Sequence, residues 1–243
     1  MRTIRKQKKA PLELRQWVSA NRNSPQNLVY GGGGFPSEQI RQNLLDEQAH
    51  LCAYTMKRLK TKAECQSAGL DTTSSCHIEH ILPQDRGVQG EDIDYKNMVA
   101  CFPPSRSSVA CEYGAVSKKN YDPVSHPFCS PLAVNVDQNF SFDKQGYVTG
   151  TTVRGRATVT VLNLNHQLLV DDRAAVINGF IEPRTGHRIT AATARALAKA
   201  VLRPDGKLCL PPFCVAASQA LLAYATTEER RAIRLKAKTK KKP

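Results

Sequence analysis

A chain of 243 residues with 41% hydrophobic content carries enough apolar surface for a folded core, which excludes wholesale disorder. No 18-residue apolar run is present, so no membrane-spanning helix is expected, and the basic opening Met1–Lys9 lacks the apolar segment of an export signal. A cytoplasmic protein away from membranes is therefore the expectation. The net charge of +14 sits at the two ends. Five Lys or Arg lie within residues 1–9 and eight within residues 230–243, and neither stretch holds an acid. With those thirteen removed from 35, the body is nearly balanced by its 21 acids. Charge placed this way attracts phosphate backbones without regard to sequence, and residues 230–243 read as a basic, disordered tail. Eight cysteines in a cytoplasmic chain point to reduced thiols or metal ligands. Five of them, Cys52, Cys65, Cys76, Cys101 and Cys111, fall in one stretch of about 60 residues.

In chain order, Pro11 to Asn21 reads as a short helix, with Leu12, Leu14, Trp17 and Val18 as its apolar contacts. Gly31 to Gly34 is a break. A second helix is expected from Ser37, as N-cap, to about Leu51, on an apolar stripe of Ile40, Leu44, Leu45 and Leu51. Ser75 to Leu82 reads as a strand entering a turn at Pro83, Gly87 to Asp94 as a polar loop, Lys96 to Phe102 as the returning strand, and Val109 to Lys119 as a helix. After Pro123, Asn139 to Val148 carries a hairpin signal, and the alternation in Val159 to Leu164 predicts extended chain. Asp171 to Phe180 reads as helical. Thr190 is placed to cap Ala191 to Leu202, and a last helix covers roughly Ala216 to Ala225. The fold class is α+β. Its parts are a basic N-terminal segment with a short helix (1–36), a strand–strand–helix module (37–122), a hairpin-and-helix region assigned by elimination to partner docking (123–229), and the basic tail (230–243).

The chemistry gathers between Cys76 and Asn120. Hydrolysing a phosphodiester requires a deprotonated water, stabilisation of charge on the phosphate, and a tolerable leaving oxygen. His80, where the first strand meets the turn before Pro83, is the candidate general base, since imidazole titrates near neutrality. Glu79 is the first candidate ligand for a hard ion such as Mg²⁺ or Mn²⁺. His77, two residues earlier on an extended strand, shares its side and is a further ligand or a phosphate-orienting group. The amide of Asn97 is suited to tie the hairpin loop to itself and hold His80. Lys118 and Lys119 are candidates to meet a nucleic-acid backbone. The spacing is not the helical His-Glu-x-x-His of zinc peptidases.

The order Cys76-His-Ile-Glu-His-Ile-Leu-Pro-Gln84, Asp94-Tyr-Lys-Asn-Met-Val-Ala-Cys101 and Cys111-Glu-Tyr-Gly-Ala115 resembles the PtuB-like HNH endonucleases of Septu and retron anti-phage systems. The likeness extends to the basic start with Pro11, to Leu162-Asn-Leu-Asn165 and to Pro212-Phe-Cys214. The resemblance implies a ββα-metal core and hydrolysis of DNA or of RNA, tRNA included. It also implies a toxic effector held by a PtuA-like ATPase and, in retron versions, a reverse transcriptase with RNA-linked DNA. Residue by residue, His80 matches the family's base, Glu79 its acidic ligand and Asn97 its middle asparagine. The positions three before Lys118 and Lys119, where a third ligand is expected, hold Ala115 and Val116. Asn120 is the substitute ligand, with Asp122 and His126 behind it. For a structural Zn²⁺, Cys52, Cys101 and Cys111 supply three ligands and Cys65 or Cys76 a fourth, because Thr55 stands where a paired Cys-x-x-Cys has its second cysteine. The alternative reading is a zinc-stabilised nucleic-acid-binding adaptor with a degenerate nuclease site.

Overall fold

The computed structural model describes residues 1–104, 110–182 and 188–239. Helix α1 (Leu12–Asn21) starts directly after Pro11, whose missing N–H costs nothing at a helix start. Helix α2 (Ser37–Glu47) follows, and α3 (Lys62–Ser67) is opened by a reciprocal Thr61–Glu64 capping box. Strands β1 (His77–His80) and β2 (Met98–Cys101) pair antiparallel, with His77 opposite Cys101 and His80 opposite Met98. After β2 comes the single-turn helix α4 (Ala115–Lys118). The second half holds the hairpin β3 (Phe140–Phe142) and β4 (Val148–Gly150), then α5 (Val153–Val161), α6 (Gln167–Ile181), α7 (Ala191–Ala200) and α8 (Cys214–Thr239). Eight helices and two small antiparallel sheets among the described residues make an α+β protein.

Two-stranded sheets leave outer edges unpaired, and buried edges must find partners. Side-chain amides supply them here. Gln48, 3% exposed, donates to Ala100 O (2.8 Å) and Leu51 O (2.7 Å) and accepts from Ala100 N (2.7 Å), completing the edge of the wholly buried β2. Asn165 does the same for Val148 of β4, and Gln219 of α8 for Phe140 and Phe142 of β3. Helix α2 packs on the first hairpin through Ile40, Leu44 and Leu45, and one contiguous core joins it to α5, α6 and the start of α8. A smaller cluster, rich in Ala, lies between α7 and α8.

Several predicted elements change. Helix α2 stops at Glu47, not Leu51, because Ala49 and His50 adopt positive φ and Gln48 turns to the sheet; Pro36, not Ser37, is its cap residue and gives no side-chain cap bond. Residues 159–161 belong to α5 rather than a strand. Thr152 caps that helix by accepting Gly155 N–H, and Gly155 lies so close to the hairpin that an added Cβ would stand 2.4 Å from Asn139 O. Packing against β4 thus overrides the β preference of Val and Thr. Helix α4 is one turn, not the span from Val109 to Lys119; position 109 lies outside the described residues. Helix α8 runs on to Thr239, so residues 230–239 are helical rather than a disordered tail, as the strong helix formers in Arg230-Arg-Ala-Ile-Arg-Leu-Lys-Ala237 favour. Residues 240–243 lie outside the described residues. The N-terminal segment is also not simply a basic arm: Met1 and Ile4 are buried, and Ile4 N–H donates to Pro131 O at 2.8 Å.

Candidate active site

Strand β1 alternates, with His77 and Glu79 half-buried on one face and Ile78 and His80 buried on the other. The loop joining β1 to β2 is closed by Asn97. Its Oδ1 accepts Leu82 N–H at 2.7 Å, and its Nδ2 donates to Leu82 O (3.1 Å) and Glu91 O (2.9 Å). These bonds place the neighbouring Asp92 carbonyl 2.8 Å from His80 Nε2. A carbonyl only accepts, so Nε2 carries the ring proton and the neutral imidazole keeps its lone pair on Nδ1. Among the described residues Nδ1 has no hydrogen-bond partner. Burial lowers the His80 pKa against the opposing pull of the Asp92 carbonyl, which favours this neutral form. Tyr30 sets the ring from the other side, edge-on at 4.7 Å, while its backbone N–H donates to Asp92 Oδ2 at 2.8 Å. Arg86 braces the loop by bonding both Glu91 (3.0 Å) and Asp122 (2.6 Å).

His77 donates Nδ1–H to Pro103 O at 2.6 Å and turns Nε2 toward Glu79 Oε2, 3.8 Å away. Burial pulls its pKa down, but Glu79 and the Pro103 carbonyl outweigh that and raise it. The other Glu79 oxygen meets Lys118 Nζ at 3.0 Å, and the same ammonium donates to His80 O at 2.9 Å. The Lys118 side chain is 1% exposed. It is therefore a buried partner of Glu79 and not, as expected, a surface contact for nucleic acid; the exposed Lys119 remains available for that.

The third-ligand assignments change too. Asn120 is exposed beyond α4 and bonds none of the described site residues. Asp122 is committed to Arg86, Val124 N–H and Ser125, and His126 leans on the ring of Tyr121. No three His, Cys, Asp or Glu side chains converge as metal ligands among the described residues. A hard divalent ion still fits a sparser set. Glu79 Oε2 and His77 Nε2 face each other on a partly exposed edge, the far nitrogen of His77 is anchored on a carbonyl as ligating histidines are, and Mg²⁺ keeps several waters.

The zinc set fits less well. Cys111 turns its thiol to its own neighbour, Tyr113 O, at 3.4 Å. Cys52 is instead held in a hydrogen-bonded nest. Burial pushes its thiol up, but Cys101, Thr55 and the Phe102 amide (3.3 Å) outweigh it and bring the pKa to about 5. Thr55, at the place of a second cysteine, thus serves as a hydrogen-bond donor to sulfur. Cys65 and Cys76 are buried thiols with raised pKa values, Cys76 at about 11.

Sequence reading missed Tyr30, Asp92, Arg86 and the Pro103 carbonyl. Two of these act through backbone atoms, which leave no residue-type signal. Tyr30 was visible only as the aromatic before the Gly31–Gly34 break. Comparison with protein-family models and with curated proteins returns no match to the chain.

Proposed function

We propose that this protein is a nuclease of the PtuB-like HNH type, hydrolysing phosphodiester bonds on a ββα-metal arrangement of β1, β2 and α4. The observation that carries the reading is the hydrogen bond from His80 Nε2 to Asp92 O, which leaves Nδ1 as a proton acceptor on a neutral imidazole. His80 takes the proton of an incoming water at Nδ1. Asn97 keeps the loop, and through it Asp92 O, in register. Glu79 and His77 are the residues that would hold Mg²⁺ or Mn²⁺, which supplies positive charge at the phosphate when bound. Lys119 and the basic face of α8 meet the backbone of DNA or RNA. The partners that go with this reading are a PtuA-like ATPase and, in a retron setting, a reverse transcriptase with RNA-linked DNA; residues 123–229 are their docking surface.

A second reading has specific support. Ala115 at the expected ligand position and the Thr55–Cys52 nest in place of a zinc pair suit an adaptor that binds nucleic acid without cutting it. Incubating the assembled complex with DNA and with RNA, in Mg²⁺ or in EDTA, separates the two. The nuclease reading expects cleavage in Mg²⁺ that falls by about 10²-fold or more in His80→Ala, the usual loss on removing a general base. Undiminished cleavage by His80→Ala refutes it. Binding without cleavage by any preparation establishes the adaptor.

A further inference from the structure

We infer that Lys118 is a positioning residue that acts as an internal counter-cation: it fixes Glu79 and the end of β1 for chemistry while competing with a divalent ion for the same carboxylate. This rests on the nuclease reading of the site and deepens it. Lys118 lies on the one-turn α4 and is the side chain of that helix shown reaching β1. Its ammonium is sealed from solvent, so it does not touch a phosphate. Its bonds go to Glu79 Oε1 and to the carbonyl of His80. The bond to His80 O holds the strand where the base projects, and the bond to Glu79 fixes the rotamer that turns Oε2 toward His77 Nε2. Both tasks favour catalysis. The charge acts the other way. An ammonium 3.0 Å from one carboxylate oxygen cancels much of the field that would draw a divalent ion to the other. With two protein donors in place of three or more, the site is held at weak metal affinity.

Removing the lysine therefore moves two readouts in opposite directions, which loss of a merely structural residue does not do. The test compares wild type, Lys118→Met and Glu79→Gln/Lys118→Met. Mn²⁺ binding is measured by electron paramagnetic resonance, and cleavage is measured at saturating Mn²⁺. The double variant removes both charges of the pair and controls for folding, with circular dichroism on all three proteins. In Lys118→Met, Mn²⁺ affinity is expected to rise by about tenfold or more while turnover falls by about tenfold or more. In the double variant the added Mn²⁺ binding is expected to disappear. Unchanged or weaker Mn²⁺ binding in Lys118→Met overturns the inference, whatever the cleavage assay reads. So does tighter binding that persists without Glu79. If Mn²⁺ tightens as expected but no protein cleaves, the counter-cation role stands and it is the nuclease reading that fails.

Discussion

Replacing Asn97 by Ala tests the frame that holds the candidate base, His80. Asn97 is 6% exposed, and its amide makes three neutral hydrogen bonds, one accepted from Leu82 N–H and two donated to Leu82 O and Glu91 O. At about 1 kcal/mol net for each bond, the substitution costs about 3 kcal/mol, and more if the Leu82 N–H stays buried without a partner. The loss is local before it is global, because β1 and β2 remain paired through their ladder while the loop between them loses its tie. The Asp92 carbonyl then no longer sits against His80 Nε2, and the imidazole tautomers mix. Urea unfolding at constant m gives the stability change, amide exchange at Leu82 reports the loop, and ¹⁵N shifts of the His80 ring report the tautomer. A loss below about 0.5 kcal/mol, or a ring that stays protonated at Nε2 alone, refutes the claim that Asn97 positions the base. Asn97→Asp sharpens the test. It keeps an acceptor for Leu82 N–H but aims a second oxygen at two carbonyls, so it is expected to cost at least as much as Ala at neutral pH and less in acid, where the carboxyl can donate.

Gln48→Ala removes three buried bonds, two of them at the edge of β2, and is expected to cost about 2–4 kcal/mol, read as a fall in urea midpoint; a change within about 0.5 kcal/mol contradicts the edge-capping role. Lys6 is buried against Glu47 at 3.1 Å and over the Tyr95 ring at 3.8 Å, and burial lowers its pKa to about 8 from 10.5 despite the pull of Glu47. Between those values the unfolded chain binds more protons than the folded one, so stability rises with pH from about 8 toward 10.5 as the buried ammonium loses its proton; the difference in unfolding midpoint between wild type and Lys6→Met across that window should show the rise, and a flat difference contradicts it. Ending the chain after Glu229 removes the exposed Arg230, Arg231 and Arg234, and should weaken binding to any duplex while lowering the slope of log affinity against log salt by about 0.9 for each lost phosphate contact; an unchanged slope places the nucleic acid elsewhere.

How much of this was legible in the sequence depends on where each signal resides. Helices α1, α6 and α7 and the first hairpin come from residue type and period, and the sequence carries both. The register-setting job of Asn97 was legible because an asparagine can pair with a loop backbone in few other ways at that spacing. The partner of His80 was not, because it is a main-chain carbonyl whose position depends on how the loop closes. Lys118 was misread for a related reason. A lysine in a polar stretch reads as solvated, and only the fold brings Glu79 within 3.0 Å of it and seals its ammonium from water. The α5 segment misled because Thr and Val report a preference, while contact with Gly150 through Gly155 decided the conformation. The tail misled because charge density resembles disorder, whereas Ala, Leu, Lys and Arg also propagate a helix already nucleated by the packed turns of α8.

On the proposed function, the placement of charge separates binding from chemistry. Within the candidate site Lys118 offsets Glu79, and burial favours neutral His80 against the opposing pull of the Asp92 carbonyl, so little net charge is left there to attract a polyanion. In the N-terminal segment Lys6 is spent on Glu47 inside the core. Arg5, Lys8 and Lys9 of that segment are exposed, and so is the last stretch of α8, exposed at every residue from 230 to 237, with Arg230, Arg231 and Arg234 at helical positions i, i+1 and i+4 and so on one side. Ile233 and Leu235, two residues apart, project to opposite sides of the helix and form no apolar stripe that would suit a membrane surface. On the proposed function, the cationic face at the end of this 26-residue helix, whose start is anchored in the core, is where a phosphate backbone would be gathered. Affinity and salt dependence should then follow α8, and turnover should follow His80, Glu79 and Lys118.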